Sequence, residues 1–207
     1  MDERDPRFKV RAAELIAAGH FFFERGWVPA TAGNFSARLD GHHMAVTVSG
    51  RHKGELTEDD LMVVDLDGNV ISEGKRPSAE AFLHIVLYRR FPDLGAVLHT
   101  HSVNATVLSK LSPGGLVIED YEVLKAFPGI DTHQTHLNVP VFANDQDIRQ
   151  LAARVDELMN REPSIPGYLI EGHGLYTWGQ DVAAARRHME AFEFLFECDM
   201  QMRRLRS

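Results

Sequence analysis

The sequence predicts an α/β protein, a three-layer α/β/α domain with a mixed, mainly antiparallel central sheet. Three observations lead there. Helical and strand patterns interleave along the whole chain, the strand segments are short, and hairpin-type turns join some of them. A length of 207 residues suits one domain, 1–207, better than two small ones.

The first helix is expected from Asp5 to Arg25, where Phe8, Ala12, Leu15, Gly19 and Phe22 recur at spacings of four and three. Gly26 and Pro29 end it. The turn-rich segment Thr31–Ser36 leads into a strand ending near Leu39. Gly41-His42-His43 turns the chain into a second strand, Ala45–Val48, which Ser49-Gly50 breaks. Thr57, with Asp60 three residues later, resembles a capping arrangement ahead of the apolar strand Leu61–Val64, and Asp67-Gly68-Asn69 reads as a hairpin turn. Ser78 is the expected N-cap of a helix running to Arg90, with the stripe Ala79, Phe82, Leu83 and Val86. Ala96–Thr100 reads as a buried strand. A helix from Val103 to Lys110, a strand at Leu116–Ile118 and a short helix from Tyr121 follow. Val139–Phe142, Tyr168–Glu171 and Leu175–Trp178 are the remaining strands, with an amphipathic helix at Asp145–Asn160. The last helix, Asp181–Leu205, carries two adjacent apolar seams. Val182, Ala185, Met189, Phe192 and Phe196 form one; Ala184, His188, Ala191, Leu195, Cys198 and Met202 form the other. So wide a face lies either deep in the core or partly against another subunit.

Composition bounds the function. The chain is 44% hydrophobic and 25% charged, as globular domains are, and its net charge of −8 makes it a poor partner for nucleic acid or an anionic membrane. No run approaches the ~18 apolar residues of a membrane helix. Met1–Arg11 lacks the apolar core of a signal peptide. One cysteine, Cys198, leaves no intrachain disulfide, and a cytoplasmic protein is expected. An anionic substrate would need a local site.

Histidine is the abundant reactive residue, 11 of 207. His99 and His101 bracket Thr100 at a strand end. Residues two apart on a strand face one side, so both imidazoles reach one point. That arrangement suits a divalent metal; it also describes two ordinary polar residues ending a strand. His173 stands between Gly172 and Gly174, where glycines let the backbone bend closely and aim one side chain, or where a plain turn histidine sits. Three histidines with a fourth position open are the pattern of a catalytic zinc. His84 follows Glu80 by four residues on one helix face, the spacing of a simple side-chain contact. Three small-residue turns, Thr31-Ala32-Gly33-Asn34, Ser49-Gly50 and Pro77-Ser78, offer backbone N–H groups, hydroxyls and a helix start. Together they can cradle a phosphate with few cations. Arg51 and Lys53 either add positive potential beside Ser49-Gly50 or form a solvated basic loop.

The motifs Thr31-x-Gly33-Asn34, Ser49-Gly50, Pro77-Ser78-Ala79-Glu80, His99-Thr100-His101 and His173-Gly174 stand in the order and approximate spacing of the class II aldolase/adducin superfamily. The chain resembles that superfamily from about Ala12 to Met202. Its closer likeness is to the dehydratases of methionine salvage. That likeness rests on Ser49–Gly54, on Tyr121-Glu122 followed by Leu124-Lys125 and Gly129-Ile130, and on Ala191–Glu197. The resemblance implies a class II aldolase-like fold, a homotetramer with sites near subunit interfaces, and one zinc ion per subunit on His99, His101 and His173. It implies a sugar-phosphate substrate, with Gly33, Asn34, Ser49, Gly50 and Ser78 at the phosphate and Glu80 facing the substrate. It assigns the catalytic acid/base role to Glu122, which the local pattern alone reads as an acidic surface residue beside Glu119 and Asp120. In the related aldolases the base matches Glu80 instead. The sequence departs from those aldolases in Ser78-Ala79, where they often carry two serines. The implied reaction is loss of water from a methylthio-substituted 2-keto pentose 1-phosphate. The rival enzyme is an aldolase or epimerase of fuculose or ribulose phosphates. Two non-enzymatic rivals are an adducin-like binding module and a purely structural zinc site.

Overall fold

The computed structural model describes residues 1–206. In chain order the elements are α1 (Pro6–Glu24), β1 (Asn34–Arg38), β2 (His43–Thr47), β3 (Leu61–Asp65), α2 (Ala81–Arg90), β4 (Ala96–Thr100), α3 (Val103–Leu111), β5 (Gly115–Glu119), β6 (His136–Phe142), α4 (Ile148–Arg161), β7 (Gly167–Ile170), β8 (Gly174–Gly179) and α5 (Val182–Arg206). The eight strands order as β3-β2-β1-β4-β8-β7-β6-β5. Every neighbouring pair is antiparallel except β6 with β7. One apolar cluster joins α1, α3 and α5 to one sheet face; a second joins α2 and α4 to the other. The result is the three-layer α/β/α arrangement with a mixed, mainly antiparallel sheet. Among the described residues no helix is long and apolar enough to cross a membrane.

Local chemistry sets the element starts. The Asp5 carboxylate accepts from the Arg7 N–H and Pro6 opens α1, where a missing N–H costs nothing. Thr57 and Asp60 form a capping box on the short 3-10 turn Glu58–Asp60, which feeds directly into β3. Asp147 accepts from the Arg149 and Gln150 N–H groups at the start of α4.

Helix α2 departs from expectation. It begins at Ala81, with Glu80 rather than Ser78 at the cap position. The Ser78 carbonyl accepts from the Ala81 N–H at 3.0 Å, so Pro77–Glu80 forms its own turn ahead of the helix. The buried face is Ala81, Leu83, His84, Ile85, Leu87 and Tyr88, while Ala79 is exposed and Phe82 and Val86 are half-buried. The cause is Ser36 on β1. Its hydroxyl lies 2.7 Å from His84 Nδ1 and 2.9 Å from the Tyr88 hydroxyl, so two polar residues can face inward. An apolar stripe alone misreads that face.

The two seams of α5 are consumed inside the protomer. Val182, Ala185, Met189, Phe192 and Phe196 are buried, and so are Ala184, His188, Ala191 and Leu195. His188 is held by its Nδ1, which donates to the Trp178 carbonyl at 2.7 Å. Cys198 is half-buried and Met202 exposed. The apolar residues that α5 leaves to solvent are Phe194, Met202 and Leu205.

Glu193 also faces the core from α5 and is only 2% exposed. Burial raises its carboxyl to about 8, with the Ser102 and Thr100 hydroxyls pulling the other way. The folded chain therefore holds a proton that the unfolded chain, with a pKa near 4.5, releases. Stability should fall as pH rises from the unfolded value toward the folded one, at up to about 1.4 kcal/mol per pH unit. Glu193→Gln is expected to flatten that decline. Urea midpoints at pH 5 and pH 8 should differ less in the variant than in the parent protein. Equal differences would show that the buried carboxyl is not the source.

Candidate metal and substrate site

Strand β4 lies between β1 and β8, and its register collects the site. Asn34 on β1 stands opposite His99, and His99 stands opposite Tyr176 on β8. Just past the end of β4, the His101 N–H donates to the Trp27 carbonyl at 2.8 Å, which fixes its course. The turn bearing His173 presses onto the same end. Gly172 there has φ +63°, and a side chain at Gly174 would run into the Thr100 carbonyl.

This packing brings three ring nitrogens together. His99 Nε2 lies 2.8 Å from His101 Nε2 and 3.2 Å from His173 Nε2. His99 Nδ1 is 2.9 Å from the Leu175 carbonyl. A carbonyl only accepts, so Nδ1 carries the proton and the Nε2 lone pair faces the other two rings. Burial, reinforced by His101, pushes the His99 ring well below its ordinary range, and burial pushes His101 to about 4. Both are neutral at pH 7, the form that binds metal. Tyr176 stacks on His99 with ring centroids 3.9 Å apart at 12°, which holds the imidazole plane. Nitrogens bound at roughly 2.0–2.1 Å around a tetrahedral ion stand roughly 3.3 Å apart, close to the spacing here. His99, His101 and His173 thus form a cluster that can hold a metal ion.

Glu80 closes the fourth side. Its Oε1 is 3.2 Å from His173 Nε2; its Oε2 is 3.7 Å from His99 Nε2 and accepts from Asn34 Nδ2 at 2.6 Å. Burial alone would raise this carboxyl. The His173 hydrogen bond and the surrounding imidazoles outweigh it and hold Glu80 well below the usual carboxylate range.

A cavity of about 260 Å³ opens beside the cluster. Gly33, Asn34, Ser49, Gly50, Ser78 and Glu80 line it together with Lys53 and His101. Gly33 is required where it stands. Its φ is +78° and a Cβ would meet the His99 carbonyl at 2.6 Å. The basic pair beside Ser49-Gly50 splits: Arg51 is exposed and pairs with Asp60 at 3.2 Å, while Lys53 is buried. Glu122 is placed elsewhere. It opens the 3-10 turn Glu122–Ala126, its side chain is 70% exposed, and it contacts Lys125 Nζ at 2.7 Å and His133 Nδ1 at 3.5 Å. Within one protomer it does not line the cavity. Sequence reasoning passed over Tyr176. Its strand is buried on both faces, so nothing local in the sequence singles out the ring it stacks on.

The fold and this site are those of the aldolase-like α/β/α domains. The chain belongs to the class II aldolase and adducin family: the Class II Aldolase and Adducin N-terminal domain matches residues 13–200. Methylthioribulose-1-phosphate dehydratase of Marinobacter nauticus is 55% identical over 202 residues, 97% of this chain and 97% of that one. The protein of the same name from Methylococcus capsulatus is 54% identical over 198 residues, 96% of this chain and 97% of that one. Among solved structures, l-fuculose-1-phosphate aldolase from Thermus thermophilus matches with a TM-score of 0.77 at 28% identity, covering 96% of this chain and 98% of that one.

The purified protein is expected to carry about one divalent ion per chain. His101→Ala and His173→Ala should each lose it while keeping the fold by circular dichroism. Full metal content in both variants, read by elemental analysis, would place the ion elsewhere.

Proposed function

We propose that the protein is a zinc-dependent dehydratase. It converts 5-methylthioribulose 1-phosphate to 5-methylthio-2,3-dioxopentyl phosphate in methionine salvage, as a cytoplasmic homotetramer. The observation that carries this reading is 55% identity across 97% of both chains with a relative named for that activity, against 28% with the fuculose phosphate aldolase. The site supports it with a metal-ready histidine cluster beside a cavity lined by small-residue turns.

A zinc ion on His99, His101 and His173 would act as a Lewis acid toward the substrate's C2 carbonyl and C3 hydroxyl, making the C3 proton easier to remove. The rest falls to the chain's own groups. Gly33, Asn34, Ser49, Gly50 and Ser78 receive the phosphate through N–H and hydroxyl donors. Glu80, ionised and anchored by Asn34, faces the reacting carbons and limits how the sugar can turn. Glu122 takes the proton from C3 and delivers one to the departing C4 hydroxyl, which leaves as water. The resulting enol tautomerises to the 2,3-diketone.

Since Glu122 lies outside its own protomer's cavity, it serves the cavity of a neighbouring copy. Its surroundings fit that role. The adjacent Tyr121 lies near Cys198 and Asp199 on α5, towards the end that exposes Met202 and Leu205. Apolar side chains left to solvent beside a reactive group favour a subunit contact there. A second reading makes Glu80 the base, as in the aldolases, and is favoured by its position 3.2 Å from His173.

Glu122→Gln should lower turnover of 5-methylthioribulose 1-phosphate by at least ~10²-fold with metal content unchanged. Light scattering should give four times 23.3 kDa. Mixed oligomers of the Glu122→Gln and His101→Ala chains should recover activity that neither variant has alone, since some sites would join an intact cluster to an intact Glu122. If Glu80→Gln abolishes turnover while Glu122→Gln leaves it intact, the second reading holds. Cleavage of fuculose 1-phosphate in preference to dehydration would overturn the dehydratase assignment itself.

A further inference from the structure

Lys53 is 1% exposed, yet it lines the cavity beside the histidine cluster. Packing drives it there. Gly19 of α1 lies so close that a Cβ would meet the Lys53 carbonyl at 2.6 Å, and a Cβ at Gly54 would strike the Phe23 ring of the same helix. Helix α1 therefore presses the 3-10 turn Lys53–Glu55 against the sheet and sends the lysine side chain inward.

Its ammonium ties two turns together. Nζ donates to the Thr31 carbonyl at 2.9 Å and to the Arg51 carbonyl at 2.6 Å. Thr31 opens the turn that presents Gly33 and Asn34; Arg51 follows the turn of Ser49 and Gly50. An ammonium has three donors, and these carbonyls use two. No carboxylate among the described residues lies in ion-pair contact with it. Burial lowers the group to about 8, with Glu80 pulling the other way, so it remains charged at pH 7. A buried charge without a counterion is costly, and an apolar side chain of similar length would fill the same space without that cost. Lys53 is also the only lysine or arginine among the cavity's lining residues.

We propose that Lys53 is a phosphate-binding residue whose third N–H meets a phosphate oxygen of the substrate, while the other two hold the Gly33-Asn34 and Ser49-Gly50 turns in register around it. This deepens the sugar-phosphate reading of the same cavity and rests on it. The consequence is specificity. The dianion supplies the counterion that the fold withholds, so the cavity favours the phosphorylated sugar over the free one.

Two variants separate charge from packing. Lys53→Gln keeps two N–H donors for the carbonyls and removes the charge; Lys53→Met removes both. The test uses the metal-loaded full chain, with inorganic phosphate as the probe in thermal unfolding and 5-methylthioribulose 1-phosphate in steady-state kinetics. Phosphate should raise the melting temperature of the parent protein and leave Lys53→Gln unmoved. KM for the sugar phosphate should rise about tenfold or more in Lys53→Gln, the loss of one hydrogen bond to a charged group, with kcat falling less than KM rises. Metal content should match the parent. If Lys53→Met fails to fold, Lys53→Gln still decides the question. A Lys53→Gln protein with the parent's phosphate response and KM would reduce Lys53 to a tie between loops. A parent protein that phosphate does not stabilise would overturn the inference outright. A parent that phosphate stabilises but that does not dehydrate the sugar would overturn the dehydratase reading and leave Lys53's role standing.

Discussion

The antiparallel pairing of β4 with its two neighbours is the constraint on which the site depends. On one side it sets Asn34 opposite His99; on the other it sets Thr100 opposite Leu175, so the turn carrying His173 arrives where β4 ends. A register slip of one residue would turn His99 to the opposite sheet face and separate it from His173. The close contact of Gly174 with the Thr100 carbonyl works against such a slip, because only glycine fits there. The two strongest backbone requirements of the site, at Gly33 and Gly174, are therefore both set by β4.

That geometry concentrates polar groups at one end of the sheet. Three imidazoles, the Glu80 carboxylate and the Lys53 ammonium gather at one end of the sheet. Each has a local reason to stay in its useful form. Leu175 fixes the His99 tautomer, Asn34 and His173 keep Glu80 ionised, and the Thr31 and Arg51 carbonyls hold the lysine. What they share is incompleteness: nitrogen lone pairs turned toward one another gain little until a cation sits between them, and a buried ammonium gains most from an anion. The two deficits are of opposite sign and lie side by side: a cation answers the first and an anion the second.

How much of this is legible in the sequence depends on the range of the interaction. Strand β4 reads correctly to the residue because it is buried on both faces, so its apolar run is continuous between Gly95 and the histidines. The convergence of His99, His101 and His173 is legible because strand alternation and flanking glycines are local signals. The inward face of α2 is not, since the burial of His84 and Tyr88 depends on a hydroxyl from β1 far away in the chain. Lys53 could be read either as a cavity group or as a solvated loop. The choice is made by α1, which reaches it through Gly19. The double seam of α5 suggests a subunit contact, yet the helix spends nearly all of it against its own sheet and neighbouring helices. Periodicity measures how much apolar surface an element must cover, not which surface covers it.

The position of Glu122 shows how one scaffold can serve different reactions. The histidines, the turns and Lys53 are all set by the sheet and by α1 within a single chain, so a chain that folds this way acquires the histidine cluster and the cavity together. Glu122 belongs to a different structural unit, a 3-10 turn between β5 and β6 that anchors Leu124 in the core, leaves Glu122 exposed and shares no strand pairing with β4. If Glu122 moves protons as proposed, its exposed side chain can be replaced without disturbing the β4 register. A dehydratase and an aldolase can therefore share the cluster and the cavity while differing in the group that moves protons, which fits a TM-score of 0.77 to an aldolase at only 28% identity. The fold fixes what can be bound. On the proposed reading the reaction is left to one exposed side chain of a turn whose Leu124 stays in the core.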